Sequence, residues 1–166
     1  MMEPKTNIGA NLLVRQGAKP QTAADATYVS SEIYDRLSAD MKSPQSMVAI
    51  AAVCFTTASG NSTGLNTLTL SVEHGDDSGL SDTAELDSDT YGYAWAADGA
   101  NHGVHVLPVD LSTAKRYIRV RAKLTKTGTE TISAQQIASC AIFGGMDQVP
   151  SSTHAAAGYE ETTEAA

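Results

Sequence analysis

Hydrophobic and polar residues alternate with a period of two through most of the chain, and the alternation changes character from segment to segment. In LNTLTLSVEH (65–74), Leu68, Leu70 and Val72 point one way while Thr67, Thr69, Ser71 and Glu73 point the other, which predicts a half-buried strand. SMVAIAAVCFTT (46–57) is apolar at both parities and rich in β-branched residues, so it predicts a strand buried on both sides. IASCAIF (137–143), closed by Gly144-Gly145, has the same doubly apolar character. Around residue 120 the alternation is sharpest: Ile118, Val120, Ala122 and Leu124 share one face, and Tyr117, Arg119, Arg121, Lys123 and Thr125 share the other. HGVHVLPVDL (102–111) predicts a further strand, limited by Pro108 to a sheet edge or a bulge. Tyr91, Tyr93 and Trp95 alternate and so share one face of a strand or hairpin arm. YVSSEIYDRL (28–37) alternates loosely and reads as a first strand, with a short helical turn as the alternative.

Turn chemistry separates these segments at SGNSTG (59–64), HGDDSG (74–79) and Asp98-Gly99. Roughly six to eight short strands with no strong helical period predict an all-β fold, an antiparallel β-sandwich or a barrel, with the sandwich the expected form. Residues 1–26 lack a period and read as an extended N-terminal arm, 27–149 as the sandwich, and 150–166 as an acidic C-terminal tail.

Composition narrows the partners. A chain of 166 residues holds one such domain, and with 18% charged residues its surface must lean on Ser, Thr, Asn and Gly. A net charge of -8 repels phosphate, so neither nucleic acid nor an anionic membrane is expected as a partner. Against that background DLSTAKRYIRVRAKLTK (110–126) gathers six of the eleven basic residues on one short stretch. Cys54 and Cys140 lie in apolar runs without CxxC spacing, which predicts buried thiols in a reducing compartment rather than a disulfide between neighbouring strands. The N-terminus lacks the apolar run of a signal peptide, and synthesis in the cytoplasm is expected.

The chemistry-bearing groups are sparse. Asp82, Glu85, Asp87 and Asp89 offer oxygen ligands but not the spacing of a calcium loop, and a solvated acidic loop is the expected reading. His102 and His105 stand three apart, hence on opposite faces of a strand, while His74 and His154 lie elsewhere, so no metal site is expected. No nucleophile motif or phosphate-cradling loop is present, which predicts neither an enzyme nor a bound cofactor. Tyr91, Tyr93 and Trp95 have the make-up of a carbohydrate platform or protein interface, with ordinary packing an equal alternative. The basic row needs acids opposite: Glu73, Asp110 and Glu130 can supply them within the chain, or an acidic partner surface can. Arg119 and Arg121 fit the interface reading better, and Lys123 the internal one.

PVDLSTAKRYIRVRAKLT, followed by a polar loop and IASCAIFGGMDQVP, resembles a recurring ending of small structural proteins of tailed bacteriophages. There an Asp-Leu-Ser turn leads into a Lys/Arg-Tyr-Ile-Arg-Val strand, and an apolar strand ends in Gly-Gly. SMVAIAAVCFTT and LNTLTLSVEHGDDSG resemble the earlier strands of those proteins, so the resemblance spans about residues 46–150. Arg116, Tyr117, Ile118, Arg119 and Val120 match the strand motif, and Gly144 and Gly145 match its partner. The resemblance implies a virion protein with a β-sandwich or jelly-roll-like fold, expected as a decoration or cement protein on the major capsid protein shell. A homo-oligomer, with a trimer favoured, is the expected form, and Arg116, Tyr117, Arg119, Arg121, Tyr91, Tyr93 and Trp95 are the candidate interface residues. A receptor- or carbohydrate-binding head-fibre or tail module, and a tail or connector component, are the alternatives.

Overall fold

The computed structural model describes residues 12–41, 43–57, 64–95, 99–126 and 132–145, with the main chain alone described at 57, 64–65, 93–95, 99–100 and 132–134. In chain order the strands are β1 (Leu13–Gln16), β2 (Gln21–Thr22), β3 (Val29–Ser30), β4 (Tyr34–Asp35) and β5 (Ser46–Thr57). They continue as β6 (Gly64–Gly75), β7 (Ala84–Trp95), β8 (Gly99–Asp110), β9 (Tyr117–Lys126) and β10 (Ile132–Gly144). Two antiparallel sheets result. The first runs β1-β10-β5-β8, with β2 also on β10; the second runs β3-β9-β6-β7, with β4 also on β9.

Because β1 and β2 follow one another along β10, and β3 and β4 along β9, the described strands occupy eight positions. Counted in chain order, the first position pairs with the eighth, the second with the seventh, the third with the sixth and the fourth with the fifth. This nested pairing is that of a jelly roll, one long antiparallel ribbon rolled until its strands divide between two sheets. The expected all-β sandwich is therefore the observed architecture.

Alternation supplies the core. Leu68, Leu70 and Val72 of β6 and Ile118, Val120, Ala122 and Leu124 of β9 are fully buried in the inner face of the second sheet. Met47, Ala49, Ala51, Val53, Ile137, Ala141 and Phe143 face them from the first. At one edge Tyr34 joins the two sheets: its ring meets Phe143 edge-on at 5.4 Å, and its hydroxyl donates to the Gln16 carbonyl at 2.6 Å. Burial raises the Tyr34 pKa, so the hydroxyl stays a donor.

The breaks between the short strands have local causes. Between β1 and β2 the Gly17 N–H donates to the Ser139 carbonyl at 2.9 Å, and the Ala18 N–H donates to Ser139 Oγ at 2.8 Å. A Cβ on Gly17 would lie 2.5 Å from the Ser139 carbonyl carbon, so this approach admits only glycine. Between β3 and β4 the Ser31 side chain takes over the ladder, its Oγ accepting from the Val120 N–H at 3.0 Å. Gly145, at φ 63°, ends β10 in the left-handed region.

Four expectations change. Leu13–Gln16 and Gln21–Thr22, assigned to the arm, are strands on β10, and Leu13 is buried. Strands of two to four residues are too short to show a period, so their pairing is set by β10 alone. Glu85, Asp87 and Asp89 belong to β7 rather than to a loop. The polar ISAQQ stretch is the first part of β10. Finally, β5 and β10 fully bury one face only, since Ala52 and Cys54 are exposed and Val48, Ile50, Cys140 and Ile142 only partly buried on the other. The stretch 28–37 does form strand, divided into β3 and β4, and Pro108 lies on the edge strand β8. Residues 1–11 and the expected tail 150–166, with His154, lie outside the described residues.

Candidate functional site

The outward parity of β9 carries the basic row, and its neighbours β6 and β3 decide what the row can do. Register places Glu73 of β6 opposite Arg119 and Ser71 opposite Arg121. Arg119 donates to Glu73 Oε2 from Nη2 at 2.7 Å and from Nε at 3.2 Å, while Arg121 Nη1 lies 2.8 Å from Glu73 Oε1. One carboxylate thus bridges two guanidiniums, and its side chain is only 5% exposed. The Arg121 guanidinium also stacks over the Tyr28 ring at 4.1 Å, and the Lys123 ammonium shares that ring at 4.6 Å.

The flanking cations are paired as well. Arg116 grips Asp35 through two hydrogen bonds, Nε at 3.0 Å and Nη2 at 2.8 Å, and that contact holds the Asp35 carboxyl below its usual pKa. Lys115 lies 3.1 Å from Asp76 and 3.4 Å from Asp82. Asp82 also accepts the backbone N–H groups of Asp76 and Asp77, which, with Lys115, pull its pKa down to about 2. Arg119 and Arg121, read from sequence as interface residues, therefore meet an acid of their own chain. Glu73 is the acid expected among the three; Asp110 accepts from Ser112 in its own turn, and Glu130 lies outside the described residues.

Tyr91 stands on the overhanging edge strand β7, 52% exposed and stacked on His105 at 5.8 Å. His105 is buried and lies 3.3 Å from Asp89, whereas His102 is exposed on the opposite face of β8, as their spacing requires. The side chains of Tyr93 and Trp95 lie outside the described residues, so the aromatic trio is represented by Tyr91. Among the described residues no group of three or more His, Cys, Asp or Glu is placed to hold a metal ion. A mixed-charge cleft of about 380 Å³ opens at the other edge between Arg15, Glu32, Asp35 and Asp40, where Arg15 faces Asp40 at 3.9 Å.

The outer face of the first sheet has the opposite chemistry. Across β1, β10, β5 and β8 one row reads Val14, Ile142, Val48, Pro108, and the next reads Gln16, Cys140, Ile50, Val106. Beyond them lie Ala138, Ala52, Val104 and then Gln136, Cys54, His102. None of these positions is Asp, Glu, Lys or Arg, and the first acid, Asp110, stands beyond the outermost row. Val14 and Val104 are 63% and 60% exposed. Both cysteines sit on this face as free thiols, two rows apart, rather than in the core. Two rows span ~13 Å, beyond the Cα separation a disulfide allows.

Sequence reading did not single out this face, although its signal was visible in the doubly apolar β5 and β10 segments. It also did not find Arg36, a buried guanidinium that donates to the carbonyls of Ala114 and Pro44 and fastens two loops at one end of the sandwich.

No protein-family model matches the chain, and no curated protein matches it.

Proposed function

We propose that the chain is a non-enzymatic structural protein of a bacteriophage virion, a decoration or cement protein that binds the outer surface of the major capsid protein shell and stabilises it. The observation that carries this reading is the strand order. A jelly roll is the fold that the phage resemblance implies, and the residues that carry the resemblance form its mutually paired strands: β5 on β10, and β6 on β9.

A fold hosts many functions, so the surface must bear the reading too. In the basic row Lys115, Arg116, Arg119 and Arg121 are paired with acids of the same chain and Lys123 lies over Tyr28, so among the described residues this row is not a free positive stripe for nucleic acid. What it offers instead is broad: a Ser/Thr- and ion-pair-covered sheet on one side and an uncharged apolar sheet on the other. Repeated over a shell, modest contacts of this kind sum to firm attachment through avidity. Arg116, half exposed beside Tyr117, and Tyr91 are the candidate side chains whose outer surfaces remain available to a partner.

Quantifying the chain against the major capsid protein in purified particles tests the proposal. Hundreds of copies per particle are expected for decoration of a symmetric shell. About six or twelve copies would assign it to a connector or tail, and absence from particles would reject a virion role.

A further inference from the structure

We infer that the outer face of the β1-β10-β5-β8 sheet is a self-association surface, on which a second copy of this chain docks face to face about a two-fold axis. The inference goes beyond the virion reading, since it concerns how any two copies meet, on a shell or in solution.

Area is the first argument. Strands ~4.8 Å apart, with same-face side chains ~6.8 Å apart, give four rows on four strands a footprint of roughly 500 Å². That is at the upper end of what a monomer leaves open, while two such faces together bury about 1,000 Å², the lower bound for a stable interface. Of the large apolar side chains exposed among the described residues, Leu12, Val14, Val104 and Val106 all stand on this face or its rim.

Charge is the second. Two chains of net charge -8 repel wherever their acids come close, and this sheet presents an uncharged field through which they can approach. The opposite sheet, with Glu73, Arg119, Arg121 and Lys123, would have to bury ion pairs at a desolvation cost.

Shape is the third, and it selects the symmetry. On β10 and β5 the middle of the face steps down in bulk, from Cys140 and Ile50 in one row to Ala138 and Ala52 in the next. A two-fold axis lying between the faces, running across the strands midway between these two rows, sets the bulkier row of one copy over the smaller row of its partner. Sheets so related pack ~10 Å apart with interdigitated side chains. The same operation places Ile50 over Ala52 of the partner subunit. Such a contact is isologous and gives a dimer, in place of the trimer expected from sequence.

Sedimentation of the purified full-length chain over a dilution series tests this directly. The expected species is twice the 17.3 kDa chain mass. Ala52→Glu, which puts a carboxylate at the centre of the contact, should raise the dimer dissociation constant about a hundredfold or more. Val104→Glu, at the exposed edge, should act in the same direction, and it serves if Ala52→Glu fails to give a native circular dichroism spectrum. Thr69→Glu, on the other sheet, should leave the dimer intact. A wild-type monomer at every concentration, a trimer, or a dimer broken by Thr69→Glu but not by Ala52→Glu would overturn the inference. So would a monomeric wild type that loses attachment to particles on Ala52→Glu, because the face would then belong to the shell. A solution dimer that is absent from virions keeps this inference and rejects the virion role, so the two proposals fail separately.

Discussion

The two outer faces of this sandwich share one ladder geometry and differ in how each is satisfied. On the second sheet every charge at the centre has an answer within hydrogen-bonding or stacking range: Glu73 for Arg119 and Arg121, and Tyr28 for Arg121 and Lys123. The first sheet carries apolar side chains that stay largely exposed among the described residues, Val14, Val104 and Val106 above all. A closed face contributes to the stability of the single chain, because removing one member strands the others. An open face contributes little until something covers it. The difference teaches that a charged surface can be a finished structural element while an uncharged one is the functional opening.

The comparison is broken most forcefully at Glu73. Glu73→Ala leaves two partly buried guanidiniums without a counter-charge and should destabilise the chain by about 3 kcal/mol in urea unfolding. Arg119→Glu with Arg121→Glu places three carboxylates together and should abolish cooperative folding, where a purely intermolecular role would have left the monomer stable. The next largest effect is expected at the join of the two sheets. Tyr34→Phe removes the hydroxyl that reaches the Gln16 carbonyl and should cost about 1–2 kcal/mol, read by the same unfolding curves.

On the open face, Val104→Thr should change the unfolding free energy of the dissociated chain by about 0.5 kcal/mol or less, since the side chain is already in water. A cost equal to that of Glu73→Ala would erase the distinction between the faces. The finest test is pH. Asp82 has its pKa lowered to about 2 by the backbone N–H groups of Asp76 and Asp77 and by Lys115, below the ordinary carboxylate value. A depressed folded-state pKa means that its contribution is fully present above the unfolded value near ~4 and is lost as pH falls through about 2. An NMR titration of the Asp82 carboxyl should show a midpoint near 2, moving upward in Lys115→Ala.

Much of the fold was legible because the information was local. β6 and β9 display clean alternation over ten or more residues, and their inward apolar positions are buried, with Ser71 and Glu73 of β6 buried at the outward parity as well. Pro108 announced an edge because a proline cannot donate to a second neighbour. β1 and β2 were not legible, since they are held by residues more than a hundred positions away and by the close approach that Gly17 permits. The acids of β7 read as a loop because this edge strand carries polar residues at its inward parity as well, where Asp89 stays exposed and meets His105 of β8 in place of an apolar core. Of the candidate site, the basic row and its geometry were legible, but not its partners, because choosing among Glu73, Asp110 and Glu130 requires the strand register.

The residues of DLSTAKRYIRVRAKLTK, by themselves, determined that one face of β9 would enter a core and the other would be cationic, since a strand alternates its side chains whatever its neighbours. The tertiary structure alone decided that the cations are answered internally, by setting β6 beside β9 with Glu73 between two arginines. It also decided that doubly apolar β5 and β10 lie with one apolar face outward. Period-two patterns specify which residues share a face; only the stacking of sheets specifies what, if anything, lies against it.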